Sequence, residues 1–283
     1  MNPGRLFLLK KIPDNNIIGK ATTFAIGATW SSDLEMPASA KPIDRNTTAP
    51  SAPHGVQLRL GASVLGLYDD ELGRVLLTVQ HDPEGVRVLL VQARTMLFAV
   101  GGHASTLPFE NNDIPGVFSG RAAADLLRRR RLLVGDAPVV LGEGPQLLPL
   151  ARLFQAEGAA PRLVLHTGAQ DAPAGTVPGS PTRAHGRTWV HGLSFRPPGG
   201  RERRVDCDAV VVSLPPSPAF ELLRQAGAKI AWRPELGTFV PEVAVDGRTG
   251  VAGIWAAGDL VRPGSASEAA ESGRRAARGV LER

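Results

Sequence analysis

Gly258 and Asp259 end an apolar run, Gly253-Ile254-Trp255-Ala256-Ala257, a few residues before an alanine-rich helical stretch over 265–281. A strand that stops at Gly-Asp ahead of a helix start sets one carboxylate beside backbone N–H groups, an arrangement able to grip a ligand hydroxyl and a phosphate together. A strand-turn-helix with a solvated aspartate is spelled the same way, and short motifs misfire. Two more glycine turns have chemical potential. Gly101-Gly102 closes the run Met96-Leu97-Phe98-Ala99-Val100, where a backbone passing close to a ligand leaves no room for a side chain. Gly142-Glu143-Gly144-Pro145 opens a helix reaching about Glu157. Its first glycine permits a tight turn, its second lets a pyrophosphate approach, and Pro145 suits the first helical position.

Elements able to hold these turns are legible around them. Runs at 56–67, 75–80 and 86–93, separated by Asp69-Asp70-Glu71-Leu72-Gly73 and Asp82-Pro83-Glu84-Gly85, read as a small meander. The run 96–100 is apolar throughout, as in a strand buried on both faces of a parallel sheet. Pro138-Val139-Val140-Leu141, the following helix and a strand at 162–166 make a strand-turn-helix-strand unit of dinucleotide-binding form. That unit is degenerate. Leu147 replaces the third glycine, His166 stands where an acid would hold a ribose diol, and Glu143 puts negative charge into the turn.

The segment His103-Ala104-Ser105-Thr106-Leu107-Pro108-Phe109-Glu110-Asn111-Asn112-Asp113-Ile114-Pro115-Gly116-Val117, taken with Gly101-Gly102 and Gly258-Asp259, resembles the two-dinucleotide-binding-domain flavoproteins. Within them it is most similar to the alpha subunits of heterotetrameric sarcosine oxidase, opine oxidase and hydrogen cyanide synthase. The resemblance spans roughly residues 56–283. It implies an α/β, Rossmann-like two-dinucleotide-binding-domain fold, with an FAD-type domain formed by 56–116 and 221–283 and an NAD(P)-type domain over 117–220. It implies FAD held through Gly101, Gly102, Gly258 and Asp259, a helix dipole directed from the Ser265 end, and at Gly142 and Gly144 either NAD(P) or, given the degenerate turn, a retained Rossmann-like subdomain without ligand. The implied role is a subunit of a flavin-dependent oxidoreductase that oxidises an amine or imino acid or relays electrons to a partner subunit. The opposing reading is a structural or regulatory subunit that keeps the fold without the cofactor.

Relatives begin with a strand-GxGxxG-helix, and residues 1–55 contain no such form. Gly19 and Gly27 are the glycines there with apolar neighbours, eight apart, and four of the five lysines (Lys10, Lys11, Lys20, Lys41) fall in this segment. Residues 1–55 therefore read as an atypical N-terminal arm, with 31–54 a linker rich in Ser, Thr, Pro and Ala. Loss of the first strand-helix unit would expose a sheet edge, so a partner subunit or homo-oligomer is expected to cover it.

Composition narrows the classes further. With 283 residues and 43% apolar content the chain can bury one good core or two modest ones. Its one cysteine, Cys207, excludes an internal disulfide and CxxC redox chemistry, and its place beside an apolar strand suits a buried structural thiol. The six histidines (His54, His81, His103, His166, His185, His191) lack metal-ligand spacing; His103 draws notice because it follows the Gly101-Gly102 turn. Net charge is +5, but the clusters Arg128 to Arg131 and Arg274, Arg275 and Arg278 read as helix faces rather than a nucleic-acid surface. No membrane-length apolar run or signal-peptide core is present, so a soluble cytoplasmic protein is expected. Residues 168–186 read as an insertion loop and 219–225 as a helix. The prolines of Ser213-Leu214-Pro215-Pro216-Ser217-Pro218 work against a phosphate nest there.

Overall fold

The computed structural model describes residues 5–9, 18–27, 56–59, 61–70, 73–82, 85–168 and 171–282. The chain divides into two compact units, Met1–His103 with Ser217–Arg283, and Ala104–Pro216. Residues 104–116 thus belong to the second unit.

The first unit is organised on one strand. In chain order it contributes β1 (Arg5–Leu9), β2 (Ile18–Gly27), β3 (Val56–Arg59), β4 (Ala62–Asp70), β5 (Gly73–Asp82), β6 (Gly85–Ala99) and the short β7 (Gly102–His103). β4, β5 and β6 form the antiparallel meander that the turn residues announce. Leu76, Thr78 and Gln80 point from β5 into the unit, whereas Val86, Val88 and Leu90 of β6 lie on the opposite, exposed face, the two-residue alternation of a sheet with one wet side. Met96 and Phe98, farther along β6, are fully buried. β2 runs parallel to β6 from Ile18↔Leu90 to Gly27↔Ala99. Residues 18–27, within the segment expected to be an arm, form a strand along this edge of β6; the stretch 31–54 lies outside the described residues.

The second unit contains β8 (Val117–Ser119), α1 (Gly120–Arg130), β9 (Pro138–Gly142), α2 (Leu147–Ala156), β10 (Leu163–His166), β11 (Val177–Pro178), β12 (Ser180–Gly186), β13 (Val190–Arg196), β14 (Arg203–Val205) and β15 (Ala209–Ser213). Five strands form a parallel sheet in the order β11-β10-β9-β15-β8. β9 and β15 are buried over their whole length, which explains their unbroken apolar spelling. α1 starts on Ser119, whose hydroxyl accepts from the Ala122 N–H, and ends on Arg128, Arg129 and Arg130, where cations suit the helix C-terminus. The stretch 168–186 is not wholly loop. β12 pairs with β13 and buries Ala184 against Leu193, and Pro181 is tolerated because it borders a register shift.

The chain then returns to the first unit through β16 (Ser217–Pro218), α3 (Glu221–Gln225), β17 (Ile230–Arg233), β18 (Thr238–Pro241), β19 (Ile254–Ala256) and α4 (Ala266–Leu281). α3 is shorter than the helix expected over 219–225. The Gln225 side-chain oxygen accepts the Leu67 N–H at 2.9 Å, tying α3 to β4. β19 pairs in parallel with β6 on the side opposite β2, Ile254↔Met96 to Ala256↔Phe98. No described helix is long and apolar enough to cross a membrane.

The packing of the second unit can be tested at two neighbouring residues. Asp208 accepts from the Asp136 N–H at 2.7 Å and the Ala137 N–H at 2.9 Å, fixing the entry to β9 against the entry to β15. Asp208→Ala is expected to lower stability by about 1–3 kcal/mol, and Asp208→Asn by less, as a shift of the urea midpoint at constant slope. Cys207 is buried, and burial, reinforced by Asp208 and Asp206, pushes its thiol up from 9.0 to about 12. The folded protein should resist a thiol reagent at pH 8 and react once denatured. Because the unfolded thiol ionises first, stability should fall as pH rises from 9 toward 12.

Candidate functional site

Two parallel strand ends come together in the first unit. The Ala257 N–H donates to the Phe98 carbonyl at 2.9 Å, continuing the β6–β19 ladder to the point where both strands leave the sheet. β6 leaves through Gly101, at φ +73°, and β19 through Gly258, at φ +72°. Such angles favour glycine. Among the described residues a Cβ on Gly258 would meet only Ala269, at 4.0 Å, so the turn has room on its outer side. Asp259 follows in a short 3₁₀ turn, half-buried, with its Oδ1 3.4 Å from the Gly264 N–H.

The sequence builds this corner from small residues on α4. Ser272 accepts the Gly258 N–H at 3.1 Å, and Ala276 lies 3.0 Å from where a Cβ on Gly247 would be. Ala269, Ser272 and Ala276 share one helix face at three- and four-residue spacing, so the helix can approach the strand exit closely. Trp255, Ile254 and Ala256 behind it are almost wholly buried.

At the start of α4, the end whose dipole is expected to be directed at a cofactor, the chain supplies its own cap. Ser265 and Glu268 form a capping box: the Ser265 hydroxyl accepts the Glu268 N–H at 3.3 Å and Glu268 accepts the Ser265 N–H at 2.8 Å. Hydrogen bonds from the Ser265 N–H and hydroxyl hold the Glu268 carboxyl below its usual range. The helix dipole at this end is therefore answered by the chain's own carboxylate. The local signal for it is the spacing of serine and glutamate in Ser265-Ala266-Ser267-Glu268, a capping-box spelling.

His103 follows the buried Gly102 and faces outward. Its Nε2 is 3.0 Å from Glu221 Oε1, and both side chains are 64% exposed. β7 pairs with β16 through His103↔Ser217 and Gly102↔Pro218, and the Ala219 N–H donates to the Gly101 carbonyl, so the Gly101-Gly102 turn is braced from both sides of its bend.

In the second unit, Gly142, Glu143 and Gly144 lie at the exit of β9, beside the exits of β15 and β10. Gly142 has φ +140°, and a Cβ there would overlap the Ser213 carbonyl oxygen. That same oxygen accepts the Glu143 N–H at 3.0 Å. A Cβ on Gly144 would lie 3.0 Å from the ring of Pro215, whose carbonyl accepts the Ser105 hydroxyl at 2.6 Å. Leu147 is 1% exposed and fills the place of the third glycine. His166, directly beside Gly142 in the sheet, is buried, and its Nδ1 has no hydrogen-bond partner among the described residues. His185 lies elsewhere, 2.8 Å from the Ser194 hydroxyl, and burial, then Arg204 and Arg183, hold it below its usual range. No group of three metal-ligating side chains occurs among the described residues.

No family model matches the chain. It is 26% identical over 221 residues to an opine oxidase subunit of Agrobacterium tumefaciens (strain Ach5), a match that covers 68% of this chain and 44% of that protein. It is 24% identical over 210 residues to the alpha subunit of sarcosine oxidase from Corynebacterium sp. (strain P-1), covering 65% and 21%. The chain thus spans less than half the length of either relative. L-proline dehydrogenase from P. horikoshii superposes with a TM-score of 0.54 at 24% identity over 71% of this chain and 36% of that one. T. acidophilum thioredoxin reductase does so with a TM-score of 0.59 at 17% identity, over 79% and 74%. At such identities the structural likeness establishes the fold alone. The chain is similar in sequence to these opine oxidase and sarcosine oxidase subunits, and its fold is the Rossmann-like fold of the two-dinucleotide-binding-domain flavoproteins.

Proposed function

We propose that the chain is a flavin-holding subunit of an oxidoreductase acting on an amine or imino acid, of the sarcosine or opine type, or relaying its electrons to a partner subunit. The observation that carries this reading is the meeting of the β6 and β19 exits, where Gly101, Gly258 and the half-buried Asp259 carboxylate are held together by the Ala257–Phe98 hydrogen bond. These residues fit the ribityl end of FAD. Asp259 would accept a hydroxyl, while Gly258 and the Gly101-Gly102 turn keep side chains out of its way. A bound flavin supplies the two-electron acceptor for oxidation at a C–N bond. The chain supplies position.

The titratable pair beside the first turn, His103–Glu221, is solvent-facing and held by its own hydrogen bond, which suits a site whose substrate-handling groups come from a partner subunit. Both curated relatives are themselves named as subunits. Cys207, the single cysteine of the sequence, is buried and protonated, so the sequence offers no cysteine pair for thiol–disulfide exchange. A second reading, a structural subunit without cofactor, draws on one observation. β2, which lies beside β6, ends at Gly27 and continues in sequence as Ala28-Thr29-Trp30, without the glycine fingerprint that cradles the adenine-side pyrophosphate.

An absorption spectrum of the purified protein, by itself and with co-purifying subunits, separates the readings: flavin bands support the first and a featureless visible region the second. In flavin-loaded protein, Asp259→Asn should weaken retention by about 1.5–3 kcal/mol, and Asp259→Ala by at least as much, with unchanged far-UV circular dichroism. Equal retention in wild type and the Ala variant would remove Asp259 from the site.

A further inference from the structure

We infer that the crevice between the carboxyl ends of β9 and β15 is closed by the chain's own 213–216 segment, so the second unit excludes pyridine dinucleotides and serves as a packed scaffold. β9 and β15 are neighbours in the parallel sheet β11-β10-β9-β15-β8, and an open α/β sheet takes its ligand outside the carboxyl ends of its strands. This is where the fold family would bring NAD(P). The residues present do not fit it.

Closure starts at the turn. An anion-binding turn needs its backbone N–H groups turned outward. Here the Glu143 N–H is spent on the Ser213 carbonyl at 3.0 Å, fastening the exit of β9 to that of β15. The second glycine, which in a dinucleotide site leaves space for the pyrophosphate, instead accommodates the Pro215 ring at 3.0 Å from its would-be Cβ. Pro215 is fixed in turn: its carbonyl accepts the Ser105 hydroxyl at 2.6 Å, and the ring of Pro216 further limits the backbone.

The flanking groups agree with this. α2 has no side-chain cap at Gln146, and its start is poor in donors, because Pro145 just before the cap and Pro149 in the first turn have no N–H and the Leu147 N–H reaches back to the Gly144 carbonyl at 3.3 Å. On the ribose side, the residue level with Gly142 at the end of β10 is His166 rather than an acid. The Glu143 carboxylate folds toward the same strand end, with Oε2 2.5 Å and His166 Nε2 3.1 Å from where a Cβ on Gly168 would lie. A dinucleotide would meet a proline ring, a carboxylate and few free amides at the place where it needs open backbone and positive potential.

The test is titration of the whole protein, with any co-purifying subunit, by NADH and NADPH, using calorimetry and nicotinamide fluorescence. No saturable binding is expected below about 1 mM. A dissociation constant in the micromolar range for either nucleotide would overturn the proposal. Pro215→Gly removes the ring that covers Gly144, and Ser105→Ala is a milder change that releases only the peg. At least one of them, with native circular dichroism, should bind NADH roughly tenfold more tightly than wild type. Unchanged affinity in both would show that the 213–216 segment is not what closes the crevice, and would overturn the assignment.

Discussion

The first unit depends on the pairing of a single strand. β6 runs from an exposed meander into a buried parallel sheet, and along one edge it passes from antiparallel β5 to parallel β19 while β2 follows the other edge. Its two halves must satisfy different surroundings. Val86, Val88 and Leu90 alternate with inward neighbours on a half-wet sheet, whereas Met96 and Phe98 are wholly enclosed. Every feature of the candidate site is a consequence of that handover, because β19 can set Gly258 and Asp259 beside Gly101 only if it is in register with the last residues of β6.

Legibility in the sequence followed the reach of each interaction. The meander was readable because its turns are spelled with Asp, Glu, Pro and Gly next to each other. The buried strands β9 and β15 were readable because both faces are covered and no polar residue interrupts them. Gly101, Gly142, Gly144 and Gly258 could be chosen because positive φ at a strand exit leaves a local trace. Strand β12 was missed because Pro181 and a run of small polar residues mask a pairing whose hydrophobic content is essentially Ala184 against Leu193. β2 was missed because Ile18–Gly27 is a strand defined by its neighbour rather than by alternation. The contact of Pro215 with Gly144 joins residues far apart in sequence, and no local pattern reports it.

Electrostatics distinguishes the two glycine-rich corners from a generic member of the fold. At α4 the chain answers its own helix dipole through Glu268, and at the β9 turn it introduces Glu143. Both choices add negative charge where the fold would ordinarily favour a bound anion. They do not bear equally on function. The carboxylate at α4 belongs to a capping box, which gives it a structural reason to exist, and Asp259 precedes it by a full loop. Glu143 makes no such cap and lies beside a buried histidine.

The discontinuity of the first unit bears on how the chain is assembled. The second unit is one continuous segment, Ala104–Pro216, so all its strands are available before the ribosome has reached β19. The β19 partner of Met96 and Phe98 is synthesised only after that whole unit, and contacts of such sequence separation form late because loop closure has to precede them. Until then β6 keeps one apolar edge open, the state in which nascent chains are most exposed to wrong pairing. Prompt completion of the second unit shortens the effective loop, bringing Ser217 back to His103 and so delivering the last strand to the edge that awaits it.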